Sequence, residues 1–120
     1  MIFINVSNHP SLKWSEGQIK AAKEFAPKVT DITFPNVPPE ADKSEVLRLA
    51  SKVISEVRNL EVDYDGCIVH VMGEMGLTYI LVNKLKNLGI QVVHSTTERI
   101  SEEKDGQKIT VFRFCQFREY

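Results

Sequence analysis

Ile2, Phe3, Ile4 and Val6 open the chain as an apolar run interrupted only by Asn5, which predicts a first strand over residues 2–6. Residues 7–13 are polar, contain Pro10, and read as a loop. Ser15 and Gln18 stand at capping-box spacing, so a helix is expected from there to about Phe25, ended by Pro27. Residues 29–34 alternate in part and predict a second strand. Pro35, Pro38 and Pro39 then keep the chain extended. Asp42 and Glu45 mark a second helix start. Val46, Leu47, Ala50, Val53, Ile54 and Val57 recur at the helical period and give that helix one apolar face. Asp65-Gly66 breaks the chain. Residues 67–72 are almost continuously apolar, as in a central strand covered on both faces. Residues 73–76 turn into a third helix, marked by Leu77, Ile80, Leu81, Leu85 and Leu88 and stopped by Gly89. Residues 90–94 are a fourth strand. Residues 100–103 and 108–117 flank Asp105-Gly106, a strong hairpin signal.

Strands that alternate with helices imply an α/β fold with a parallel sheet, and right-handed crossovers leave few topologies. The simplest is a Rossmann-like three-layer sandwich, parallel sheet order 2-1-3-4 with a C-terminal β-hairpin, formed by residues 1–120 as a single domain. Winding reverses between the first and third strands, and ligands bind beyond the carboxyl ends of strands at such a switch point. That rule selects loops 7–13 and 73–75 as two walls of one site. Residues 95–99, read as the loop after the fourth strand, lie next to them.

Composition narrows the partners. A chain of 120 residues builds a modest core, and a formal net charge of −1 gives no overall field to draw in long DNA or RNA. An anion site must therefore be a local cluster. Cys67 and Cys115 both lie in apolar runs and are expected to be buried free thiols in a reducing cytoplasm. The apolar start is short and lacks a basic leader, so it reads as a strand and not a signal peptide. No run is long enough to cross a membrane. The glycines at 73 and 76 form neither a dinucleotide fingerprint nor a P-loop, and no histidine or cysteine spacing suggests a metal; no cofactor is expected.

Each candidate group has two readings. In loop 7–13, Ser7, Asn8 and Ser11 position a ligand, His9 moves a proton and Lys13 holds phosphate; otherwise the loop is ordinary. Trp14 stacks on a base or staples the helix entrance. Backbone N–H groups at Gly73 and Met75 suit an anion at a helix start. Glu74 would repel phosphate; it accepts from ribose hydroxyls, orients a basic residue, or merely complements the helix dipole. Thr78 faces the site, while Tyr79 belongs to core or interface. Ser95, Thr96, Thr97 and Arg99 contact phosphate or ribose, or form a turn with Arg99 paired to Glu98 or Glu102. His70 and His94 read as strand histidines, satisfied or partly exposed. Arg113, Arg118, Phe112, Phe114 and Phe117 read as a strand that packs one face and exposes the other.

In chain order, the first strand running into Ser7-Asn8-His9-Pro10, the turn Gly73-Glu74-Met75, the element Thr96-Thr97-Glu98-Arg99 and the tail from Val111 to Tyr120 resemble small stand-alone CRISPR-associated proteins of type III systems. These are related to the CARF domains that sense cyclic oligoadenylates, and some act as ring nucleases that switch off the antiviral response. The resemblance implies a cytoplasmic ring nuclease for cyclic oligoadenylate, cyclic tetra-adenylate first, or else a sponge or sensor that binds without cutting. With no metal-ligand spacing in the sequence, metal-independent cleavage through attack of the ribose 2′-hydroxyl is expected, with His9, Lys13 and Arg99 as catalytic candidates. A homodimer is expected to complete the cradle about a two-fold axis.

Overall fold

Every expected strand and helix has a counterpart in the computed structural model, which describes residues 1–120. The elements are β1 (Ile2–Ser7), a 3₁₀ turn (Ser11–Lys13), α1 (Glu16–Phe25), β2 (Lys28–Thr33), α2 (Lys43–Tyr64), β3 (Cys67–Met72), α3 (Met75–Asn87), β4 (Gln91–Lys104) and β5 (Gln107–Glu119). One sheet carries them in the order β2-β1-β3-β4-β5. The first four strands run parallel and β5 returns antiparallel along β4.

Local chemistry accounts for the boundaries. Ser15 caps α1 by accepting from the Gln18 N–H, and Asp42 caps α2 by accepting from the Glu45 N–H. Helix α2 ends where Asp65 enters the left-handed region at φ 55°. Asp105 and Gly106 both have positive φ, 54° and 75°, the geometry of the two-residue turn that matches strand twist. No helix is long and apolar enough to cross a membrane.

Burial divides the core into two layers. Ile2, Ile4, Val6, Val69 and Val71 face α2 and α3, packing with Val53, Val57, Leu77, Leu81 and Leu85. Phe3, Ile68, Val93 and Phe117 face the opposite side and pack with Ala22 and Ala26 around α1. β1 and β3 are covered on both faces, as expected of inner strands.

Two expectations need correction. Residues 95–99 are not a loop: β4 is continuous from Gln91 to Lys104 and carries them within its length. A run of Ser, Thr and charged residues reads as a loop, but its β-branched threonines suit a ladder once β5 lies beside it. Only Gln91, Val92 and Val93 of β4 pair with β3, so the distal part of β4 and β5 form a two-stranded arm with open edges. The second correction concerns Cys115, which is exposed; only Cys67 is buried. Cys115 is the extra residue of a β-bulge, because Thr96 pairs with Gln116 while Thr97 pairs with Phe114.

Candidate functional site

Successive residues of a strand point to opposite faces, so on the α1 side the sheet presents rows of side chains. The lower row is apolar, with Phe3 and Ile68 over α1. The row above is polar: Asp31 of β2, Asn5 of β1 and His70 of β3 are register partners, and Ser95 of β4 follows. These four are joined in one hydrogen-bonded chain.

The direction of that chain is fixed by its members. Asn5 Nδ2 donates to the His9 carbonyl at 2.9 Å and to Asp31 Oδ1 at 2.9 Å. Its Oδ1 therefore accepts, from Ser7 Oγ at 2.8 Å and from His70 Nδ1 at 2.9 Å. The His70 proton thus sits on Nδ1. Nε2 is left as an acceptor, and Ser95 Oγ donates to it at 2.7 Å. Burial pushes the His70 imidazole down from 6.5 to about 4, with the nearby His94 and His9 adding to the effect. It is neutral at pH 7, buried between the rings of Phe3, Trp14 and Phe117.

The chain ends at a cavity of about 260 Å3 beyond the carboxyl ends of β1 and β3. Four sequence candidates line it: His9, Lys13, Ser95 and Thr97. Trp14 packs into the structure beside the cavity. It closes the cavity wall, and it packs edge-on against Phe3 while its Nε1 donates to the His9 carbonyl at 3.1 Å. The His9 main chain is held by Asn5 Nδ2 and Trp14 Nε1, which donate to its carbonyl, and by Ser7 Oγ, which accepts from its N–H, while its ring makes no hydrogen bond. Gln18, whose backbone closes the α1 cap, extends its side-chain amide to within 3.5 Å of Ser95 Oγ. No group of three or more His, Cys, Asp or Glu side chains gathers at metal-binding spacing.

A family model for the uncharacterized protein MJ1673 family matches residues 1–118. The chain belongs to that family. A relative from Methanocaldococcus jannaschii, the uncharacterized protein MJ1673, is 30% identical over 122 residues, which span 92% of each chain. No solved structure matches the chain.

In this member of the MJ1673 family the remaining candidates lie apart from the cavity. Ser7 is buried and its hydroxyl is engaged by Asn5. Ser11 binds Asp31 through both its N–H and its hydroxyl, which anchors the 3₁₀ turn. Asn8 is exposed and does not line the cavity. Thr96 points to the other face of β4 and donates to the Gln116 carbonyl. Arg99 shares the face of Ser95 and Thr97, two residues further out on the arm opposite Phe112, with no ion pair to Glu98 or Glu102.

Met72, the last residue of β3, lines the cavity, but Gly73, Met75 and Thr78 open onto a separate groove of about 540 Å3 beside α3, shared with Tyr79, Lys86 and Tyr120. Two of these positions have structural explanations. A Cβ on Gly73 would collide with the Phe34 ring, so the glycine admits that ring. Glu74 caps α3, its carboxylate accepting from the Leu77 N–H at 2.7 Å, and so already occupies the positive helix end. Tyr79 is 71% exposed and therefore no part of the core.

His70 and Asn5 are the site residues that sequence reasoning missed. The sequence did contain a signal: Asn5 interrupts the apolar run from Ile2 to Val6, and His70 interrupts the run from Cys67 to Met72. A buried polar group needs partners, and here the partners are each other.

Proposed function

We propose that the chain is a CRISPR-associated ring nuclease that binds a cyclic oligoadenylate, cyclic tetra-adenylate first, and opens it by attack of a ribose 2′-hydroxyl on the adjacent phosphorus. The observation that carries this reading is the cavity itself. It brings an ammonium, an imidazole and two hydroxyls from Lys13, His9, Ser95 and Thr97 together beside the Trp14 and Phe114 rings at a switch-point sheet edge. Cations and hydroxyls suit a phosphodiester, and aromatic rings suit a base. At about 260 Å3 the cavity is smaller than pockets for drug-sized ligands, which start at roughly 300 Å3, so one protomer encloses only part of the ring. The protein would act in the cytoplasm, where the second messenger is made.

A second copy would supply the rest of the cradle. The arm leaves the same sheet edge as the cavity and has a free β4 edge. Two such edges paired antiparallel about Ser101 would turn the carboxyl edges of two sheets toward each other. That pairing sets Glu98 against Lys104 and Arg99 against Glu103 of the second copy, so the charges complement one another.

The test is incubation of purified protein with labelled cyclic tetra-adenylate, followed by chromatography and mass spectrometry. Linear oligoadenylates ending in a 2′,3′-cyclic phosphate are expected. Intact ring recovered from a stable complex would make the protein a sponge or sensor. Absence of binding would refute the reading. His9→Ala should slow cleavage much more than it weakens binding.

A further inference from the structure

We propose that Ser95 and His70 form the proton-accepting arm of the cavity, the Ser95 hydroxyl being the group that touches the attacking ribose oxygen. For its substrate this rests on the ring-opening reading above; the activation of Ser95 does not.

Three observations carry it. First, the hydrogen-bonded chain from Asp31 through Asn5 and His70 reaches the cavity at Ser95, and at 2.7 Å the Ser95 hydroxyl donates to a neutral acceptor nitrogen. A hydroxyl bound to an imidazole whose other nitrogen is oriented by a third group is the arrangement that activates serine oxygens. Second, His70 lines the cavity but is nearly fully buried among the Phe3, Trp14 and Phe117 rings, and its Nε2 is occupied by Ser95, so a ligand meets that nitrogen through the Ser95 hydroxyl. Third, the alternative base, His9, has a ring with no partner to fix its tautomer, whereas both His70 nitrogens are fixed.

As the 2′-oxygen bonds to phosphorus, its proton passes to Ser95 Oγ, and the Ser95 proton passes to His70 Nε2. The bond from phosphorus to the 5′-oxygen breaks, and that oxygen takes a proton from the His9 ring. His70 then loses a proton to water and His9 regains one. Lys13 faces the phosphoryl oxygens, and the Gln18 amide, 3.5 Å from Ser95 Oγ, steadies the oxygen through which the proton moves.

The first experiment needs neither a variant nor a nucleotide. Wild-type protein is treated with a small alkyl fluorophosphonate, and the modified residue is located by peptide mass spectrometry. Label on Ser95, with the exposed Ser44 and Ser101 unmodified, is expected. Ser95 labelled no faster than those two would overturn the proposal. His70→Gln should abolish the label while the folded circular-dichroism spectrum is retained; a His70→Gln protein that is folded and labels normally would also overturn it. The second experiment follows ring opening by Ser95→Ala, whose kcat should fall about 10²- to 10⁴-fold with KM little changed. An unchanged kcat would remove Ser95 from the reaction while leaving the ring-nuclease reading intact. A labelled Ser95 in a protein that does not open the ring would do the reverse: the activated hydroxyl stands and the substrate assignment falls.

Discussion

Acidification should weaken this protein through one side chain, His70. The folded state holds its imidazole neutral, with the pKa pushed from 6.5 to about 4 by burial. The unfolded chain has no such constraint and takes up the proton first as pH falls. The contribution of His70 to stability is therefore complete above about pH 6.5 and declines until the folded state is protonated near pH 4. At about 1.4 kcal/mol per unit, the full loss is about 3 kcal/mol, of which about 2 kcal/mol has gone by pH 5. Against a typical domain stability of about 5–15 kcal/mol that is a large fraction.

The assay is urea unfolding at a series of pH values from about 7.5 to 5, for wild type and for His70→Gln. Glutamine keeps polar atoms at the site and removes the titration. Carboxylates common to both proteins cancel, and Asp42, whose carboxyl is held low by hydrogen bonds from Glu45 and Ser44, titrates below this range. The wild-type curve should fall relative to the variant by about 2 kcal/mol over the interval. Parallel curves would mean that the folded protein accepts the proton at no cost, and the neutral, Nδ1-protonated His70 on which the cavity chemistry rests would be wrong.

Other expectations are checked more simply. Gly73→Ala should destabilise the fold by about 1–3 kcal/mol through overlap with Phe34, and the loss should be smaller in a Phe34→Leu background, measured by denaturation as a double-mutant cycle. Glu74→Ala removes the α3 cap and should cost about 1 kcal/mol in the same assay. A thiol reagent should modify Cys115 rapidly in native protein, and Cys67 only on unfolding, since burial, reinforced by Glu61, raises the Cys67 thiol to about 11. Lys104→Glu should shift a dimer toward monomer in sedimentation, and adding Glu98→Lys should restore it; a monomeric wild type would exclude arm pairing.

The sheet order was legible because the apolar runs of β1 and β3 can only be inner strands, and because caps at Ser15 and Asp42 and the turn at Asp105-Gly106 are local codes that the tertiary structure left in place. The cavity was legible in part. Topology alone brings His9 and Lys13 next to Met72, since Ser7 and Met72 are register partners. Ser95 and Thr97 reach the same place from within a strand, where a loop was expected. Which side of the sheet a turn serves was beyond the pattern: Gly73 and Met75 follow β3 into the α3 layer while Met72 stays on the other face. His70 was legible as a satisfied strand histidine, but its partners are 65 and 25 residues away, a distance that no local period can bridge.

The bulge at Cys115 has an effect beyond its own place in the ladder. It absorbs one residue, so Phe114 and Phe117, three apart, share a face that strict alternation would deny them. It also adds local bend and coil where the ribbon parts from the body. Deleting Cys115 would keep each aromatic on its present side and yet change the bearing of everything beyond it. The aim of the whole projection is thus written in a single position, and a graft or redesign of this hairpin would have to carry that residue along.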